Sequence, residues 1–294
     1  MTRVAVIAHS KKTLGHGLGE LRERLAEEGV DDPDWHEVPK SKKAAKKARK
    51  AAKTGAQLVL VWGGDGTVRR CAAELAGTGI AIGVLPAGTA NLLASNLKIP
   101  IDLSGALEVA LHGERRALDL GVVNGRRFAV MAGAGFDARM IAAADRGLKD
   151  RFGRLAYVWT GLQAIRGGGV GTEVHVDGKH WFKGRASCVL LGNVPTITGG
   201  LVAFEDARPD DGRLDVGVVM ADGAGEWLRV FARLLRRQVR QSPLVRSTTA
   251  ETIEVRLSKP MAWELDGNDR KPTDHLSVHV EPSAFLVCVP RAQR

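Results

Sequence analysis

The chain has 294 residues, 44% of them hydrophobic and 26% charged, and carries a formal net charge of +10. That balance excludes a disordered or coiled-coil chain, the length favours two folded domains, and no apolar run approaches the ~20 residues that cross a bilayer as a helix. Three cysteines, Cys71, Cys188 and Cys288, match no metal-binding spacing and leave one thiol over in any disulfide scheme, which fits a reducing cytoplasm.

In chain order, the β-branched apolar runs Val4 to Ala8, Leu58 to Trp62 and Ile80 to Leu85 read as strands buried on both faces of a parallel sheet. The first begins almost at once and reads as a strand, not as a cleaved leader. Helices are expected over Leu18 to Glu28, Lys42 to Lys53, Val68 to Ala76 and Ser104 to His112, giving repeated β-α units. Lys40 to Lys53 holds eight Lys or Arg residues and no acid. Ala44, Ala48, Ala51 and Ala52 share one face of that helix, so the basic side chains occupy the rest. A nucleic acid, an anionic membrane surface and a merely solvated face are all open as explanations of this charge.

From about Asp119 the pattern changes to paired strands joined by turn dipeptides, Asn124-Gly125 and Asp177-Gly178. The predicted division is an α/β nucleotide-binding domain over 1–118, a parallel sheet with flanking helices, and a β-rich, sandwich-like domain over 119–294. Strands are expected at Ala186 to Leu191, Leu214 to Met220, Thr252 to Leu257, Ala262 to Leu265, Leu276 to Val280 and Ala284 to Val289. Two helices should interrupt them, around Leu155 to Ile165 and Glu226 to Val239, with a break at Gly167-Gly168-Gly169 after the first. Arg229, Arg233, Arg236, Arg237 and Arg240 form a stripe at helical spacing, with Trp227, Val230, Phe231, Leu234 and Leu235 opposite.

Gly63-Gly64-Asp65-Gly66-Thr67 follows a buried strand and opens a helix, so its amides and the helix N-terminus can converge on phosphate oxygens. Pro86-Ala87-Gly88-Thr89-Ala90-Asn91 stands in the same context after the next strand. With Asp119-Leu120-Gly121, Gly133-Ala134-Gly135-Phe136-Asp137, Gly192-Asn193, Gly199-Gly200, Asp210-Asp211-Gly212-Arg213-Leu214-Asp215-Val216 and Leu265-Asp266-Gly267, these turns occur in the order seen in the diacylglycerol-kinase catalytic family, which the chain resembles over nearly its whole length.

The resemblance implies a lipid kinase that takes ATP and Mg²⁺, works as a peripheral protein at the inner face of the cytoplasmic membrane, and phosphorylates a hydroxyl of diacylglycerol or a related lipid. Ser10, Gly63, Gly64, Asp65, Gly66, Thr67, Gly88, Thr89 and Asn91 would hold the nucleotide, with Asp65 also placing the catalytic Mg²⁺. Lys11 or Lys12 would supply charge where the family usually begins with Asn-Pro. Asp266 stands where a carboxylate would serve as general base, although Asp266-Gly267-Asn268 also suits a plain hairpin turn. Asp211, with the carbonyls of Arg208 and Arg213, matches a second, structural Mg²⁺ site.

Three acids usual in the family are replaced, by Arg70, Leu92 and Asn268. Because neutral Asn cannot act as a base, only Asp266 or Asp269 remains for that task. An NAD kinase, which shares the first glycine turn, and a non-catalytic membrane-associated nucleotide or lipid sensor stand as rival readings. The expected partners are a lipid substrate and an anionic membrane surface, with no nucleic acid and with homodimer formation left open.

Overall fold

The computed structural model describes residues 3–135, 169–197 and 201–291. The chain forms two compact units, Met1–Leu120 with Pro282–Arg294, and Gly121–Glu281.

In the first unit, β1 (Val4–His9), β2 (Asp34–Val38), β3 (Leu58–Gly63) and β4 (Ala81–Pro86) make a parallel sheet in the order β4-β3-β1-β2. All of β1, β3 and β4 is buried, as their unalternated apolar sequences require of strands covered on both faces. The polar strand β2 lies at the sheet edge, which explains why hydrophobic pattern did not mark it. The helices are α1 (Leu18–Glu27), α2 (Ala44–Lys53), α3 (Asp65–Leu75), the short α4 (Leu92–Asn96) and α5 (Leu103–His112). Ala44, Ala48 and Ala51 bury the thin face of α2, so its backbone packs close while the basic side chains stay outside. Arg49 on that helix is bound by Glu74 through two 2.9 Å hydrogen bonds.

The second unit is antiparallel. Its central strands are β7 (Met131–Ala134), β10 (Cys188–Gly192), β13 (Leu214–Val219), β14 (Val245–Ala250) and β15 (Thr252–Leu265), in the order β14-β13-β10-β7-β15. The hairpin of β8 (Val170–Val176) and β9 (Lys179–Ala186) adds to β15, while β5 (Glu114–Val123) pairs with β6 (Arg126–Phe128). A small pair, β11 (Thr196–Ile197) and β12 (Leu201–Val202), stands apart. Phe128, Leu191, Val216, Val255 and Leu276 anchor the core.

Three sequence expectations are revised here. Two predicted strands fuse into β15, where irregular pairing between Arg256 and Trp263 lets the chain continue across the predicted break, and two fuse into β16 (Asn268–Val289). The predicted second domain does not keep the chain's end, because Leu286 and Val287 of β16 pair in parallel with Ala81 and Ile82 in the first unit. The arginine-rich helix, α6 (Ala224–Leu235), stops early, because Arg237 takes a left-handed backbone (φ 56°) and Arg240 belongs to a separate 3-10 turn, Val239–Gln241. The predicted helix at 155–165, Gly167-Gly168, Phe136-Asp137 and Gly199-Gly200 lie outside the described residues.

Candidate functional site

In the first unit, the loops after β1, β3 and β4 leave the carboxyl edge of three adjacent parallel strands, where open α/β sheets bind ligands. After β1, the Ser10 amide donates to the Val38 carbonyl (3.0 Å), and the Trp62 indole donates to the Lys12 carbonyl (2.9 Å). These bonds fix the loop backbone while Ser10 and Lys11 stay exposed. His9 beneath them is buried, and burial, with Lys12 and Lys11, lowers its pKa and keeps the ring neutral.

The two glycine turns are pressed together. A Cβ on Gly88 would come within 2.4 Å of the Gly64 Cα, and one on Gly63 within 2.7 Å of the Thr67 Cβ. Only glycine permits that approach. Gly64 caps α3 with extended backbone, and the amides of Gly64, Gly66 and Thr89 have no hydrogen-bond acceptor among the described residues. Unpaired amides at a helix N-terminus carry partial positive charge suited to phosphate.

The side chains of this region mostly hold the turns in place. Thr67 is buried, its hydroxyl 2.9 Å from that of Ser41, and its amide donates to the Gly64 carbonyl. Asn91 has left-handed backbone, accepts from the Gly88 amide (2.9 Å) and donates to the Pro86 and Gly88 carbonyls. Asp65 reaches across to the second turn, accepting from the Leu93 amide at 3.1 Å. Burial raises the Asp65 pKa, opposed by the amides of Leu93, Leu92, Asp65 and Asn91, which favour its charge. Thr67, Asn91 and Asp65, expected to touch nucleotide, therefore act first on the shape of the cradle, and Ser41 is a support that sequence reasoning missed.

In the second unit, Asp266 and Gly267 (φ 45° and 72°) form the two-residue turn between β15 and β16, with Leu265 paired to Asn268. Asn124-Gly125 and Asp177-Gly178 have the same backbone. Asp266 differs in burying its carboxylate, which accepts from the amides of Ala129 (3.1 Å), Val130 (3.0 Å) and Met131 (2.9 Å). The amide of Asp266 in turn donates to the Met131 carbonyl, and the buried Asn193 holds the same segment by bonds to the carbonyls of Ala129 and Val130. Two residues before Asp266, Glu264 is fully buried, and no well-formed hydrogen bond reaches its carboxyl oxygens among the described residues, the Gly267 amide being the one neighbour that favours its charge. Burial, then the charges of Asp266 and Asp269, push it up to about 8, so it is protonated near neutral pH. Period-two spacing along the strand could have marked this second acid.

At the predicted structural metal site, Asp211 caps its own turn by accepting from the Arg213 amide (3.0 Å). The Arg213 side chain is occupied elsewhere, with Asp177, Thr249 and Glu251, while Arg208 is exposed. Burial pushes Asp215 up to about 6, with the charges of Asp211 and Asp206 adding to the shift. Asp206 and Asp215 therefore join Asp211, the acid expected at this site with the carbonyls of Arg208 and Arg213, in one acidic neighbourhood.

The diacylglycerol kinase catalytic domain matches residues 3–123, and the YegS C-terminal NAD kinase beta sandwich-like domain matches residues 130–289. The chain belongs to the diacylglycerol kinase catalytic family. A Cronobacter sakazakii protein named "Probable lipid kinase YegS-like" is 30% identical over 84% of this chain and 83% of its own. A Bacillus subtilis protein named diacylglycerol kinase is 29% identical over 85% and 83%. An uncharacterized Synechocystis protein is 32% identical over 72% of this chain, which spans half of that relative's length. A crystal structure of a diacylglycerol kinase from Bacillus anthracis has the same fold, with a TM-score of 0.76 at 19% identity over 98% of this chain and 96% of that one. An Archaeoglobus fulgidus NAD kinase is a more distant neighbour, with a TM-score of 0.53 at 12% identity over 98% and 93%. No helix among the described residues is long and apolar enough to cross a membrane.

Proposed function

We propose that this member of the lipid kinase family transfers the γ-phosphoryl group of ATP to the hydroxyl of diacylglycerol or a related lipid. The observation that carries the proposal is the pair of abutting glycine turns with unpaired amides at neighbouring strand ends. Phosphoryl transfer needs chiefly positioning and charge neutralisation, and backbone amides supply both without moving. Gly63, Gly64, Gly66, Gly88 and Thr89 would line the triphosphate, while Ser10, Lys11 and Lys12 offer polar and cationic groups on the neighbouring loop.

Oxygen donors suit Mg²⁺, and Asp211 and Asp215, with the carbonyls of Arg208 and Arg213, would offer such donors to a cation, while Asp206 beside them is paired with Arg240. When bound with the triphosphate, Mg²⁺ would spread the negative charge of the phosphates. Asp65, already accepting backbone amides, would take part through its remaining acceptor capacity.

In the transfer, the lipid oxygen bonds to the γ-phosphorus, the bond to the β–γ bridging oxygen breaks, and ADP leaves. Asp266 is the proposed acceptor of the hydroxyl proton. Three amides hold its carboxylate in position.

Incubation of the protein with labelled ATP and total membrane lipid tests the proposal. A labelled lipid that disappears without Mg²⁺ is expected. Labelled NADP formed from NAD would favour the NAD kinase reading, and ATP binding without transfer to either acceptor would favour a sensor.

A further inference from the structure

Leu228 and Ile101 are the large apolar side chains left exposed among the described residues, and Leu228 lies on α6. One side of that helix is committed to packing, with Trp227, Val230, Phe231 and Leu234 buried. On the other side, two rows run together at helical spacing. Leu228, Ala232 and Leu235 form an apolar row, with Leu228 half exposed and the other two partly buried, and Arg229, Arg233 and Arg236 form a basic row beside it.

The pairing of these arginines separates the surface from an ordinary solvated one. Arg240 is bound by Asp206, and Arg233 donates to the Gln241 carbonyl. Arg229, Arg236 and Arg237 are exposed and have no acidic partner among the described residues. The other basic helix, α2, has no large apolar side chain on its exposed face, and its Arg49 is taken up by Glu74. Coulomb attraction alone is screened within a Debye length, whereas an apolar row beside unpaired guanidinium groups can enter the headgroup boundary while the charges meet lipid phosphates.

We infer that the exposed face of α6, with Leu228 beside Arg229 and Arg236, docks on an anionic phospholipid bilayer. The choice of a bilayer as occupant rests on the lipid-kinase reading, which requires access to a substrate held there, and on the complementary charge.

The test is sedimentation of the full chain with vesicles of phosphatidylcholine plus phosphatidylglycerol, against phosphatidylcholine alone, at low and high salt. Binding to the anionic vesicles, weakened by salt, is expected. Arg229→Glu with Arg236→Glu should reduce it at least about tenfold, and Leu228→Trp should strengthen it. Lys46→Glu with Lys50→Glu on α2 should cost less than the α6 pair. An unchanged melting temperature in the α6 variants would confirm that they fold. Undiminished vesicle binding by the Arg229/Arg236 variant, a larger loss from α2, or no binding by the parent would overturn the inference. Phosphorylation of lipid in uncharged detergent micelles is read in parallel. Its absence in a parent that docks through α6 would sink the kinase reading and leave the docking surface standing.

Discussion

Asp65 and Asp266 occupy different units and different backbone settings, yet each uses its carboxylate in the same way. Asp65 sits at the first position of a helix and holds the start of α4 through the Leu93 amide. Asp266 sits in a two-residue hairpin turn and holds the segment Ala129 to Met131 through three amides. An acid in a glycine-rich motif can thus be required for the shape of its loop before it is required for chemistry. The difference lies in what else secures each loop. The Asn91 side chain supports the second glycine turn by its own bonds, whereas Asn193 holds the Ala129 to Met131 segment by its carbonyls and the amides of that segment go to Asp266.

The largest effect is expected from Asp266→Asn, because amide hydrogen bonds to a charged group contribute about 1.5–3 kcal/mol each and an Asn NH₂ would face donors. Melting temperature should fall clearly, and lipid phosphorylation should drop at least about a hundredfold if the carboxylate also takes the proton. Asp65→Asn should lower the melting temperature less. Equal losses in the two variants would break the contrast. A stable Asp266→Asn protein with full activity would remove both roles from that residue.

Gly88→Ala comes next. Its Cβ would stand 2.4 Å from the Gly64 backbone, which must give way, whereas Gly64→Ala meets the Gly88 Cα at 3.0 Å. ATP affinity, read by calorimetry, should fall further for Gly88→Ala than for Gly64→Ala, and unchanged affinity in both would separate the turns from the nucleotide.

Glu264→Gln should give the smallest effect, and one of opposite sign. The native Glu264 carboxyl keeps a proton that the unfolded chain releases, so stability falls as pH rises from the ordinary carboxylate range to about 8 and is level above that. The Gln variant lacks this slope. Its advantage in melting temperature should grow across that window and stay constant beyond it. A difference that does not change with pH would mean that Glu264 is ionised in the folded protein.

The sequence by itself determined the elements whose signals are local. Short β-branched runs such as Leu58 to Trp62 read as central strands, the alanines of α2 marked its packed face, and Asn124-Gly125 and Asp177-Gly178 supplied the left-handed pairs that short hairpins need. Motif order likewise made the family and the glycine turns legible. Partnership across long separations was decided only by the tertiary structure. Asp266 meets amides 135 to 137 residues away, Thr67 meets Ser41, and the last residues of β16 return to β4 beside Ala81. The physical reason is that a side chain's type limits which bonds it can make, while the folded backbone selects which groups are near enough to make them, so Asp266 read alone is a base or a turn residue and becomes a latch only beside Ala129 to Met131.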